Sequence, residues 1–68
     1  MTVQIHVNGE RFELPRAGTV ADLLESLDLR PEQVAVEVNE LLVPRGRRSD
    51  TTLQVGDRVE FVTLVGGG

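Results

Sequence analysis

The sequence predicts an α+β domain in which one helix covers one face of a mixed β-sheet. Two observations predict this class. Five short segments have the alternation or the β-branched composition of strands, whereas one segment has the period of an amphipathic helix. The order reads strand, strand, helix, strand, strand, strand, and a single apolar helix stripe can cover one face of a single sheet.

The first two strands are predicted to form a hairpin. In the segment TVQIHVN three apolar residues alternate with polar ones, which is typical of a strand with one buried face. Asn8 and Gly9 follow directly, and this pair favours the positive φ angles of a two-residue hairpin turn. The segment RFEL then returns as the second strand, which Pro15 ends.

The segment GTVADLLESLDL predicts the helix. Its apolar stripe consists of Val20, Leu23, Leu24 and Leu27. Thr19 lies at the expected N-cap, and Asp22 has the position of the acid in a capping box. Pro31 cannot continue the helix, so we expect the helix to end near Leu29.

The second half of the chain contains three further predicted strands. Residues 34–38 (VAVEV) form the third strand, and residues 41–43 (LLV) form a short fourth strand before a proline. Residues 45–52 (RGRRSDTT) are predicted to form a polar loop. The last strand covers residues 58–65 (RVEFVTLV), after a turn in which Gly56 takes the positive-φ position.

The element order predicts a particular topology. If the first and last strands are neighbours, their pairing is parallel and lies at the centre of the sheet. This arrangement is the β-grasp, which ubiquitin also has. We therefore predict a single β-grasp domain over residues 1–65, followed by a flexible glycine tail at residues 66–68.

Composition argues against several classes of function. The 68 residues carry a formal net charge of −4, which repels phosphate backbones and argues against nucleic-acid binding. There is no cysteine and only one histidine, His6, so we expect neither a metal site nor a thiol nucleophile. The sequence has no apolar segment of membrane length and no signal-peptide pattern. These features predict a cytoplasmic protein that does not bind membranes.

The polar residues do not form a catalytic pattern. His6 shares the polar face of its strand and is predicted to face solvent. Asp22, Glu25 and Asp28 have the spacing of the wet face of a helix. The arginines at 45–48 (RGRR) either belong to a solvated loop or bind a phosphate or a partner's carboxylates. We therefore predict no catalytic residue.

The last strand has apolar residues on both faces. Val59 and Phe61 share one face, while Val62 and Leu64 share the other. A sheet covered by one helix needs an apolar surface on one side only. Val62 and Leu64 are therefore either an exposed patch for a partner or are covered by a loop or a neighbouring strand.

Five motifs in order carry a resemblance to a known family. They are VNGE, GTVADLLESL, VAVEVNELLVPR, VGDRVEFVTLV and the terminal glycines, and together they span almost the whole chain. The sequence resembles the ThiS family, the sulfur-carrier proteins of thiamine thiazole synthesis. Val-Pro-Arg at residues 43–45 and the valine before the glycines resemble this family more than the small subunit of molybdopterin synthase.

The resemblance implies that the protein is a cosubstrate and not an enzyme. In the family, an adenylyltransferase of the ubiquitin-activating type uses ATP to convert the terminal glycine carboxylate to an acyl adenylate. Sulfur from a cysteine desulfurase relay replaces AMP, and the resulting thiocarboxylate donates sulfur to thiazole synthase. By motif match, Gly67 and Gly68 are the diglycine, Gly68 carries the adenylate and then the thiocarboxylate, and Gly66 adds tail length.

The resemblance also implies a partner surface, and it leaves three alternatives open. The candidate partner-facing residues are Val62, Leu64 and Val65. We expect a monomer when free, with no bound cofactor. The alternatives are a sulfur carrier of another pathway such as molybdopterin synthesis, a ubiquitin-like modifier conjugated through Gly68, and a binding module whose tail is idle.

Overall fold

The computed structural model describes residues 2–64. The strands and the α-helix are β1 (Val3–Val7), β2 (Glu10–Leu14), α1 (Val20–Ser26), β3 (Val34–Val38), β4 (Leu41–Leu42) and β5 (Arg58–Thr63). Two 3-10 helices, Pro31–Gln33 and Arg45–Asp50, precede β3 and follow β4. Val65 and the glycine tail lie outside the described residues, so the boundary predicted at residue 65 stays a prediction.

The strands form one mixed sheet in the order β2-β1-β5-β3-β4. β1 and β5 are parallel, with Val7 opposite Val59, whereas the other neighbours are antiparallel. The last strand therefore lies at the centre beside the first, and the predicted β-grasp arrangement is confirmed.

Two asparagines connect turns of the chain to the central strand. Asn8 and Gly9 have φ angles of 50° and 85°, as the hairpin prediction required. The Asn8 side-chain oxygen also accepts the N–H of Phe61 at 2.8 Å. In the turn after β3, Asn39 has a φ angle of 52°, and its side-chain oxygen accepts the N–H of Arg58 at 3.0 Å. Both turns therefore help to hold β5 in place.

The N-terminus of α1 has the predicted capping box. The N–H of Asp22 donates to Thr19 Oγ1 at 3.2 Å, and the N–H of Thr19 donates to Asp22 Oδ2 at 2.9 Å. The two bonds satisfy N–H groups that a helix start would otherwise leave without partners.

The C-terminus of α1 differs from the prediction, because the helix ends at Ser26 and not near Leu29. Asp28 adopts a left-handed φ of 58°. The N–H of Asp28 donates to the carbonyl of Glu25, and the N–H of Leu29 donates to the carbonyl of Leu24. This bond pair is a Schellman motif, so the chain reverses before Pro31 can act as the helix stop.

The hydrophobic core lies between α1 and one face of the sheet. It consists of Ile5, Leu14, Val20, Leu23, Leu24, Val34, Val36, Leu53 and Val59. Alternate residues of each strand point away from this core, and we call the opposite side of the sheet the outer face. His6 is exposed, as predicted.

Residues 45–52 were predicted to form a polar loop, and most of them are exposed, but the structure corrects the prediction in two respects. The segment contains the 3-10 helix Arg45–Asp50, and Arg48 is only 6% exposed. Arg48 donates from Nη1 to the carbonyl of Pro31 at 2.7 Å and from Nη2 to that of Val34 at 2.6 Å. Arg48 is therefore neither solvated nor free to bind a phosphate or a partner's carboxylates.

β4 is one residue shorter than predicted. It ends at Leu42, but the N–H of Val43 still donates to the carbonyl of Val36 at 2.8 Å. β5 ends at Thr63, and the N–H of Leu64 donates to the carbonyl of Gln33 at 2.8 Å. Leu64 therefore lies beyond the end of the strand, contrary to the prediction, and the predicted continuation to Val65 falls outside the described residues.

Candidate functional site

The outer face of β5 exposes two large apolar side chains. Val59 is 1% exposed and Phe61 is half-buried, because both point toward α1. Val62 and Leu64 point the other way and are 58% and 49% exposed. Of the two possibilities for these residues, the structure supports exposure over cover by a loop or strand. Their contact with a partner stays a prediction.

Two further side chains extend this apolar surface across neighbouring strands. Ala35 on β3 lies directly opposite Val62, and Leu42 on β4 lies opposite Glu37, diagonal to Ala35. Leu42 is 64% exposed. We call Val62, Leu64, Leu42 and the intervening Ala35 the outer apolar patch. An exposed apolar cluster of this kind is typical of a site for another protein.

Two carboxylates border the outer apolar patch. Glu37 on β3 and Glu60 on β5 lie directly opposite each other in the antiparallel register. Like charges in directly opposed positions are unfavourable within a sheet. This edge of the outer apolar patch is therefore suited to contact with a cationic side chain.

In the sequence, the tail glycines begin three residues after the end of the strand that carries the outer apolar patch. Leu64, the last described residue, is both a member of the patch and the point where β5 leads toward residue 65. Val65 and the three glycines predicted as the site (Gly66, Gly67 and Gly68) lie outside the described residues. A partner bound to the patch would contact the chain within a few residues of the glycines.

The described residues contain a cleft near the start of β5 and no group of side chains suited to a metal ion. A shallow cleft lies at the other end of β5, lined by His6, Gly9, Glu40, Arg58, Val59 and Glu60. Within residues 2–64, no group of three or more histidine or acidic side chains could hold a metal ion. No helix in this part of the chain is long and apolar enough to cross a membrane.

Sequence reasoning missed part of the outer apolar patch. It identified Val62 and Leu64 because the last strand is apolar on both faces. It placed Leu42 in a strand but did not connect it to them, because that requires the register of β3 against β4. The alternation of side chains along a strand could have identified Leu42. Because Val43 is buried, the preceding residue Leu42 must point to the opposite, outer face.

The fold and the patch together define a class of protein. A five-stranded mixed sheet with a parallel central pair and one helix on one face is the β-grasp of ubiquitin-like proteins. Within that class the chain belongs to the ThiS family, whose family model matches residues 5–68. The match includes the glycines that the structure does not describe.

Individual relatives agree with this assignment. The sulfur carrier protein ThiS of Escherichia coli is 32% identical over 66 residues, covering 97% of this chain and 100% of that protein. The thiazole synthase of Magnetococcus marinus is 41% identical over 66 residues, but the matching segment is only 20% of that longer protein. The crystal structure of the thiamine biosynthesis protein ThiS from Geobacter metallireducens matches with a TM-score of 0.84 at 33% identity, covering 97% of this chain and 100% of that one.

Proposed function

We propose that the protein is a sulfur carrier for thiamine biosynthesis and that it acts as a cosubstrate of partner enzymes. The observation that carries the proposal is the ThiS family match, which extends through the glycines to residue 68. The full-length similarity to the Escherichia coli sulfur carrier supports the same function. The exposed apolar patch on the strand that leads to those glycines fits a protein that delivers its tail to a partner.

The chemistry takes place at Gly68. A carboxylate oxygen of Gly68 attacks the α-phosphorus of ATP in an adenylyltransferase of the ubiquitin-activating type, and pyrophosphate leaves. The terminal sulfur of a persulfide, supplied by a cysteine desulfurase relay, then attacks the acyl carbon and displaces AMP. A thiol cleaves the S–S bond of the resulting acyl disulfide, which leaves a thiocarboxylate on Gly68 and a disulfide on the donor. The carrier contributes an unhindered acyl group, because glycine has no β-carbon beside the reacting carbon. ATP belongs to the partner, and the carrier itself holds no cofactor.

Thiazole synthase is the proposed sulfur acceptor. Support comes from the Magnetococcus marinus thiazole synthase, in which a segment similar to this chain occupies about a fifth of the polypeptide. A carrier-like segment joined to a thiazole synthase in one polypeptide supports the proposal that the two take part in the same reaction. We propose that the free carrier is a cytoplasmic monomer and binds both partners through the outer apolar patch.

The test is the intact mass of the protein after incubation with its adenylyltransferase, ATP and a sulfur source. We expect the mass change of one oxygen replaced by sulfur, located at Gly68 by fragmentation. A variant without Gly67 and Gly68 is the control and should stay unmodified. Conjugates to lysines of other proteins would instead indicate a ubiquitin-like modifier. An unmodified Gly68 under these conditions would contradict both functions.

The acceptor is tested separately. The thiocarboxylate form is mixed with thiazole synthase and its small-molecule substrates and, in parallel, with the large subunit of molybdopterin synthase and its precursor substrate. Loss of sulfur from the carrier is followed by mass. We expect loss only with thiazole synthase. Loss only with the molybdopterin enzyme would assign the carrier to that other pathway.

A further inference from the structure

The segment between α1 and β3 is held on two opposite sides. On one side, the N–H of Leu64 donates to the carbonyl of Gln33 at 2.8 Å. On the other side, Arg48 donates to the carbonyls of Pro31 and Val34 at 2.7 and 2.6 Å. Arg45 also donates from Nη2 to the carbonyl of Glu32, at 3.2 Å. The end of β5 is therefore attached to a peptide segment that two arginines hold, and Arg48 is the buried one.

Arg48 occupies the position that a longer β4 would occupy. Alternate carbonyls of a strand point to the same side, so those of Val34 and Val36 both point toward β4. The carbonyl of Val36 receives the N–H of Val43 at 2.8 Å. Two residues earlier, the carbonyl of Val34 receives the Arg48 guanidinium instead. Arg48 thus continues the support of β3 to its N-terminal end, where Leu64 is bound.

The burial of Arg48 has an energetic cost. Its side chain is 6% exposed, and its Nε has no hydrogen-bond partner among residues 2–64. Burial, followed by repulsion from Arg45, lowers the pKa of the Arg48 guanidinium. An apolar side chain of similar length could fill the space without desolvating a charge. Packing alone would not fix the orientation of the segment before β3, whereas the two directed hydrogen bonds of Arg48 do.

We propose that Arg48 is a positioning residue that fixes the direction in which the chain leaves β5 toward the glycines. It acts through the Gln33 carbonyl, which holds the N–H of Leu64. The inference rests on the proposed function, because the exit direction matters when residues beyond Leu64 must enter a partner's active site. Misdirection of a reacting group lowers the rate of the chemical step more than it lowers binding.

The first test compares Arg48→Met with Arg47→Met by amide hydrogen exchange of the full chain. Arg47 lies in the same 3-10 helix but is exposed. Its substitution removes the same charge without removing a buried side chain, and it is therefore the matched control. In Arg48→Met we expect the amide of Leu64 to exchange about tenfold faster, the effect of about one lost hydrogen bond. The reference amide is that of Asn39, bonded to the carbonyl of Arg58 at 2.7 Å at the opposite end of the β3–β5 pair, and it should change by less than about twofold.

The exchange result separates positioning from general stability. Equal acceleration at Leu64 and Asn39 would show that Arg48 supports the whole fold, and the positioning role would be wrong. No acceleration at Leu64, or the same acceleration in Arg47→Met, would also overturn the proposal. If Arg48→Met does not fold, Arg48→Lys replaces it. That variant keeps the charge but lacks the two-pronged donor geometry, so Leu64 should again exchange faster than Asn39.

The second test measures ATP–pyrophosphate exchange by the adenylyltransferase with each variant as substrate. For Arg48→Met we expect kcat to fall about tenfold with KM within about twofold of wild type, and Arg47→Met should change neither. A kcat equal to that of wild type would overturn the positioning role. Failure of the wild-type chain to support any exchange would contradict the proposed function instead, while the hydrogen-exchange result would still decide whether Arg48 holds Leu64.

Discussion

Truncation of Val62 to alanine tests whether the outer apolar patch binds the adenylyltransferase. Val62 is 58% exposed, so docking has more than half of its side chain left to bury. Full burial of a valine contributes about 1.5–3 kcal/mol, and the exposed share therefore corresponds to about 1–1.7 kcal/mol. Alanine retains part of this, so we expect a loss of about 1 kcal/mol and a KM about fivefold higher, with kcat unchanged.

The matched control is Val55→Ala. Val55 is 74% exposed in the turn before β5, so the same methyl groups are removed from an exposed site outside the patch. KM and kcat for each variant are measured by ATP–pyrophosphate exchange, and Tm is measured alongside because alanine is a weaker strand former than valine. We expect Val55→Ala to keep the wild-type KM.

Two results would refute the reasoning about the patch. If Val62→Ala and Val55→Ala raise KM equally, exposed apolar side chains contribute to binding of the adenylyltransferase wherever they lie in the fold. If Val62→Ala lowers kcat at unchanged KM, the side chain acts on the chemical step and does not serve as a docking contact. Either result would remove the reason for assigning the outer face to partner binding.

Two further predictions concern the stability of the fold. Thr19→Ala removes the N-cap bond of α1 and should lower the free energy of unfolding by about 1 kcal/mol in urea denaturation, whereas an unchanged midpoint would show that the capping box contributes nothing. Glu60→Gln removes the repulsion with Glu37 and should raise the free energy of unfolding by a few tenths of a kcal/mol to about 1 kcal/mol in low salt, less in high salt. The control Glu13→Gln lies opposite Gln4 and should not show this gain.

Features encoded by neighbouring residues could be predicted from the sequence. The turn at Asn8 and Gly9 and the capping box at Thr19 each depend on residues no more than three positions apart. The strand faces follow from alternation, and this identified Val62 and Leu64 as an apolar surface in excess of what the core needs. Each of these predictions uses a local period or a local hydrogen bond, which the sequence contains directly.

Features that depend on distant partners could not be predicted. Arg48 is buried because the carbonyls of Pro31 and Val34, 17 and 14 residues away, accept its guanidinium. The run of arginines and small polar residues around it has the composition of a solvated loop, so composition pointed the wrong way. The helix end was missed for a different reason: Asp28, not glycine, adopts the left-handed conformation that reverses the chain.

The central strand connects stability to function in this small domain. Val59 anchors the inner face of β5 in the core, while Val62, three residues later, projects from the outer face. Loss of core packing or of the bonds from Asn8 and Asn39 would therefore move the patch and the exit of the tail together. Truncation of a side chain of the outer apolar patch should instead raise KM with at most a small change in Tm. A variant that lowers Tm and also raises KM therefore perturbs β5 as a whole. A raised KM at a nearly unchanged Tm identifies a residue that contacts the partner.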